Sequence, residues 1–211
     1  MKESPGVVDL LGVLAYAELS AYARMTEDAV TLAPSLGDRA ALSELAVTEY
    51  AHFRLLRDRL ADLGADPDEA MSPFVEALDA WHTLTRPSDW LQALVKTYVG
   101  DGIALDFYRE AARHLDPSIA ELVDEVLVDE GRSQFAVERV RAGIEAEPAA
   151  AARLALWARR LVGEALSQGQ QVASVRPELA RLLVESGPAD ISRLFATLQE
   201  AHGKRMAAMG L

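Results

Sequence analysis

Glu18 lies inside one long apolar helical run, and Glu49-Tyr50-Ala51-His52 lies inside the next, 31 positions further on. A glutamate on one helix beside a Glu-x-x-His on its neighbour is half of the arrangement by which four-helix bundles hold two transition-metal ions between carboxylates. The i, i+3 spacing puts Glu49 and His52 on one helix face, so both can reach one ion. Asp101 stands where a third carboxylate is needed, and Glu130-Gly131-Arg132-Ser133 where a second Glu-x-x-His is needed. The alternative frame, Asp129 with Arg132, puts arginine at the ligand position. In either frame the second imidazole is missing.

Helical phase places these side chains. Stepping about 100° per residue, Glu18 falls within ~20° of the centre of its apolar stripe, and Glu49 does nearly as well. His52 lies about 65° off, at the edge, as a ligand reaching sideways would. Asp101 continues the row Leu94, Tyr98, Leu105, Tyr108, whereas Asp106 falls on a more polar face. Glu130 sits within about 25° of its stripe centre and Ser133 within about 40°, which favours that frame. Four inward carboxylates are costly: an unpaired buried anion is worth several kcal/mol and has to be neutralised by protons, bases or metal. One or two ions of iron or manganese suit an oxygen-plus-imidazole donor set.

Blander readings stand beside this one. A Glu-x-x-His taken alone is most often a surface pair; its inward phase and the partner Glu18 set this one apart. Asp101 and Glu130 read equally well as structural acids. Tyr98 reads as packed. His82, His114 and His202 have no ligand partners at metal spacing, and His114 suits a cap at a helix C-terminus.

The elements that must carry the site are all helical. Half of the 211 residues are hydrophobic, no stretch alternates as a strand does, and glycine and proline cluster at a few breaks. Val7 to Thr31 and Arg39 to Leu63 form an antiparallel pair across a short joint at Pro34 to Asp38. A long crossover with a short helix near Phe74 to Leu84 leads to a third helix ending near His114. Asp116-Pro117 opens a fourth, to about Glu145. Helices follow to Ser174, from Pro177 to Glu185, and from Asp190 to Met209. The expected fold is all-α: one domain over residues 1–211, a core bundle over about residues 7–145, and a C-terminal helical extension over about 149–209 packed upon it.

Composition narrows the chemistry. The absence of cysteine excludes disulfides, thiolate metal sites and cysteine nucleophiles, and a cytoplasmic location is expected. The N-terminus lacks an export pattern, and no membrane span is expected. A formal charge of −12 repels polyanions, so the arginine groups on the helices read as solvated faces paired with acids.

On Glu18, Glu49-x-x-His52, Asp101, Glu130 and the long crossover, residues from about 7 to 145 resemble the ferritin-like superfamily. Within it the chain is similar to the MiaE-like group of non-haem di-iron hydroxylases, which act on isopentenylated adenosine in tRNA. The resemblance implies a ferritin-like four-helix bundle with one long crossover, in which iron activates dioxygen for insertion into a C–H bond. It also implies a reductase partner, and tRNA as a partner through the resemblance alone. The departures at Asp101 and at Ser133 or Arg132 support a second expectation, a non-catalytic bundle serving as a binding or structural dimer module.

Overall fold

The computed structural model describes residues 4–112, 115, 117–126, 132–183 and 188–211, with the backbone alone for some helical residues, Asp101 among them. Helices account for nearly all of it, and there is no strand among the described residues. In order they are α1 (Pro5–Thr31), α2 (Leu36–Asp62), α3 (Pro67–Met71), a 3-10 turn at Ser72–Phe74, α4 (Val75–Leu84), α5 (Trp90–Ala112), α6 (Pro117–Val126), α7 (Arg132–Ala146), α8 (Ala150–Val175), α9 (Pro177–Leu183) and α10 (Pro188–Met209).

The boundaries have local causes. Pro5 occupies the first turn of α1, where its missing N–H costs nothing. Gly37 and Asp38, expected to lie in the break, instead form the first turn of α2. Ser35 caps that helix: its Oγ accepts from the Asp38 N–H at 3.0 Å and donates to Asp38 Oδ2 at 2.7 Å. At the other end Gly64 takes φ 75°, and the Ala65 N–H donates back to the Leu60 carbonyl at 3.0 Å. That reversal closes the helix, and a residue with a Cβ is strained there. Asp89, one residue beyond the expected Arg86-Pro87-Ser88 cap, receives the Gln92 N–H at 2.9 Å and starts α5.

α1 and α2 make the most extensive helix–helix contact. Leu10, Leu11 and Leu14 of α1 join Phe53, Leu56 and Leu60 of α2 in one cluster, with Met71, Phe74, Ile119 and Val123 from α3 to α6. Met25 and Ala29 meet Leu42 and Ala46 in another at the opposite end of the pair. Gly12 lets α1 and α3 approach closely, since a Cβ there would lie 2.2 Å from the Ala70 carbonyl oxygen.

A second core surrounds α5. Leu94, Val95 and Val99 pack with Ala136 and Val140 of α7, Leu154, Trp157 and Leu161 of α8, and Met206 and Met209 of α10. The helix after Pro148, expected as an addition to the bundle, supplies five fully or nearly fully buried side chains to this cluster, Ala150 and Ala158 included. Its stripe packs in the core, as expected of an extension laid upon the bundle. The expected fourth helix is described in two stretches, α6 and α7, and residues 127–131 lie outside the described residues.

α1 corrects one expectation. It is long and apolar enough to cross a membrane by length and composition. In the fold Leu10, Leu11, Leu14 and Ala15 of that same run are fully buried against protein, which accounts for its apolar character as a core helix.

Candidate metal centre

Between the two apolar clusters of the α1–α2 seam, the row of leucines gives way to polar side chains. Four residues before Glu18 on α1 lies Leu14, and four after His52 on α2 lies Leu56; both belong to the same cluster. Since the helices are antiparallel, this register brings Glu18 opposite His52. His52 Nδ1 lies 3.4 Å from Glu18 Oε2, with the two side chains only 9 and 12 % exposed. Glu49, one turn before His52, is 2 % exposed. One donor atom from each of Glu18, Glu49 and His52 falls within 4.8 Å of the others.

The donor set fits one ion. Oxygen and imidazole ligands bind first-row divalent metals at about 2.0–2.2 Å, so two ligands at 90–110° are separated by roughly 3.0–3.5 Å. The observed 3.4 Å between Glu18 and His52 has that span. Tyr22 and Tyr50 meet at a tilt of 47° with ring centroids 5.0 Å apart, and Tyr50 meets Phe53 at 5.6 Å. These rings lie one turn from Glu18 on α1 and beside Glu49 and His52 on α2.

Of the five residues picked out in the sequence, the structure brings Glu18, Glu49 and His52 together. Asp101 lies on α5, but its side chain is outside the described residues, and so is all of Glu130. Asp129 and His114 fall outside them as well, and Arg132 and Ser133 are described by their backbone alone. Arg205 of α10, not singled out in the sequence, lies against Gly102 and pairs with Asp106 Oδ2 at 2.5 Å, both side chains nearly buried. Helical phase sets Asp106 apart from Asp101 but cannot relate it to a guanidinium 99 positions away in sequence.

Comparison with known proteins bears on the fold. Residues 2–186 match the family described as "Ferritin-like domain, actinomycetes". The chain belongs to this ferritin-like family. Among six matching solved chains is a protein from Synechococcus described as having aldehyde deformylating oxidase activity. This ferritin-like chain is similar to it over 99 % of its own length and 93 % of the other's, with a TM-score of 0.72 and 16 % identity. Likeness at that identity concerns the fold. No curated protein matches the sequence.

Proposed function

We propose that this ferritin-like protein binds iron or manganese through Glu18, Glu49 and His52, with Asp101 and Glu130 as further ligands, and uses it to oxidise a substrate with dioxygen. The observation that carries the reading is the convergence of two carboxylates and an imidazole, nearly buried, within 4.8 Å. Bound iron would supply the activation of dioxygen. The chain's own contribution is to hold the ion, orient the imidazole across the α1–α2 seam, and exclude water with Leu14, Phe53 and Leu56, all nearly or fully buried.

Within the ferritin-like scaffold, the MiaE-like tRNA hydroxylases are the group this set of residues resembles, and hydroxylation of a C–H bond is the proposed reaction class. A reductase would supply electrons. The net charge of −12 weighs against tRNA as substrate, because binding a polyanion requires a compensating basic surface. Oxygen uptake by the ferrous-reconstituted protein, with a chemical reductant and with or without tRNA, tests the proposal. Uptake that depends on Glu49 supports it, and stimulation by tRNA supports the MiaE-like assignment. Absence of uptake in the metal-loaded protein contradicts oxygen chemistry.

Arg205 favours a second reading for the α5 side of the bundle. A guanidinium paired with Asp106 against Gly102 supplies positive charge there without metal. On that reading the site holds one ion, or the bundle is a non-catalytic dimer module. Metal stoichiometry separates these from a two-ion centre.

A further inference from the structure

Away from the carboxylate site, α1, α4, α5 and the turn before α5 enclose a cavity of about 100 Å³ lined by Arg24, Glu27, Asp28, His82, Arg86 and Lys96, among others. Lys96 is the unusual member. The chain has only three lysines, Lys2, Lys96 and Lys204, and Lys96 is 7 % exposed, whereas Lys204 is a surface residue paired with Glu200. The Lys96 ammonium lies 4.8 Å from the centre of the Trp81 ring. Its hydrogen bond to the His82 carbonyl is long, at 3.5 Å.

Its neighbours are matched to proton transfer. His82, also nearly buried, contacts Ser20 Oγ through Nε2 at 3.1 Å, and its Nδ1 is buried with no hydrogen-bond partner. Arg24 and Arg86 stand at the exposed mouth, each paired with Glu27. Burial, and then the Lys96 charge acting the opposite way, leave the Asp28 carboxyl raised to about 6. Burial pushes the Lys96 ammonium down to about 8. Burial, acting against the opposing charge of Asp28, weakens the amine's hold on its proton and makes it a nucleophile toward carbonyl carbon, and the Asp28 carboxyl lining the same cavity can carry a proton near neutrality.

We propose that Lys96 is a reactive amine that forms an imine with a small carbonyl compound, an aldehyde or 2-oxo acid of a few carbon atoms, admitted by this cavity. About 100 Å³ is the room of roughly three waters at ~30 Å³ each, which sets the size limit. The neutral Nζ adds to the carbonyl carbon, forming a C–N bond and a carbinolamine. Protonated Asp28 then donates to the hydroxyl, the C–O bond breaks and water leaves, and the nitrogen, now double-bonded to carbon as an iminium, returns its remaining proton to the Asp28 carboxylate to give the imine. The step is redox-neutral and needs no metal.

The test is reductive trapping on the full-length protein at pH 8 with sodium cyanoborohydride, using acetaldehyde in one arm and pyruvate in the other. Peptide mapping distinguishes the three lysines and the N-terminal amine. The expected result is an adduct on Lys96 formed about tenfold or more faster than on Lys204, since at pH 8 the neutral fraction of a lysine at its ordinary value is below about 1 %. Because the step uses neutral Lys96 and protonated Asp28 together, Lys96 labelling should peak at about pH 7, between the two values of about 6 and about 8, whereas Lys204 labelling rises steadily with pH. Faster labelling by pyruvate assigns a role to Arg24 and Arg86; faster labelling by acetaldehyde assigns an uncharged ligand. Asp28→Asn keeps the amine and slows trapping. Adducts confined to Lys2, Lys204 and the N-terminus overturn the proposal, and wild-type mapping alone reads this outcome.

Discussion

Glu18 Oε2 on α1 and His52 Nδ1 on α2 stand 3.4 Å apart in the middle of the α1–α2 seam, and Glu49 joins them one turn away. Apolar clusters close the seam on both sides. Replacing Glu49 by Gln removes a charge that, in the absence of metal, opposes burial. Without metal the variant is expected to be as stable as the wild type or more so. In the presence of ferrous iron the wild type gains thermal stability and the variant gains less, because a ligand that binds only the folded state stabilises it by mass action. Thermal melts with and without metal read both effects.

A second pair ties α1 to the junction of α8 and α9. Asp9 on α1 is 4 % exposed and accepts from two nitrogens of Arg176, which lies between α8 and α9 and holds its proton more firmly than usual because of that hydrogen bond. Arg176→Ala leaves a buried carboxylate uncompensated and is expected to cost about 2–4 kcal/mol. Asp9→Asn in the same background should recover part of that loss. Chemical denaturation of the four proteins of the cycle measures it; additive losses would contradict the pairing.

Two glycines should respond in opposite directions. Gly12→Ala forces a methyl into the Ala70 carbonyl oxygen at 2.2 Å, and separation of α1 from α3 should cost about 1–3 kcal/mol. Gly163→Ala, on α8 with nothing within 4 Å of the added carbon, should stabilise by about 0.5–1 kcal/mol through helix propensity. Urea midpoints at constant m-value compare the two.

How much of this was legible in the sequence differs by kind of contact. Glu18, Glu49 and His52 were readable because each sits on a strongly periodic helix and the two helices are joined by a short turn, so phase and antiparallel pairing alone bring them together. For α8 the packed face was readable and its partner was not: the stripe of Leu154, Trp157 and Leu161 names a buried face but does not say that it meets α5. The Lys96 cavity was hidden for the same reason. Asp28, His82 and Lys96 come from three helices whose relative positions depend on the crossover, and nothing in local spacing relates them. Asp101 and Glu130 remain proposals carried by phase.

The cavity residues give acid stability a definite sign. Burial lowers His82 to about 3, so the unfolded chain binds more protons as the pH falls from the ordinary histidine value, and stability drops. Asp28, raised from 3.8 to about 6, binds its proton more readily in the folded state. Its contribution is present below its unfolded value and is lost as the pH rises through about 6. The two slopes oppose each other between about pH 4 and 6. Asp28→Asn removes one of them, so the variant should lose stability on acidification more steeply than the wild type. His82→Gln leaves the Asp28 slope unopposed by His82, so the variant should hold or gain stability relative to the wild type as the pH falls from about 6 to about 4. Stability measured from pH 4 to 7 tests this, and identical slopes in wild type and Asp28→Asn would contradict it.

The central claim is the metal centre, and metal content per chain tests it most directly. Wild type and Glu49→Ala are reconstituted with ferrous iron under anaerobic conditions, desalted and measured by inductively coupled plasma mass spectrometry. Stoichiometric iron in the wild type, lost in Glu49→Ala while the helical circular dichroism is retained, is the predicted result. No iron in either protein, or equal amounts in both, would contradict it.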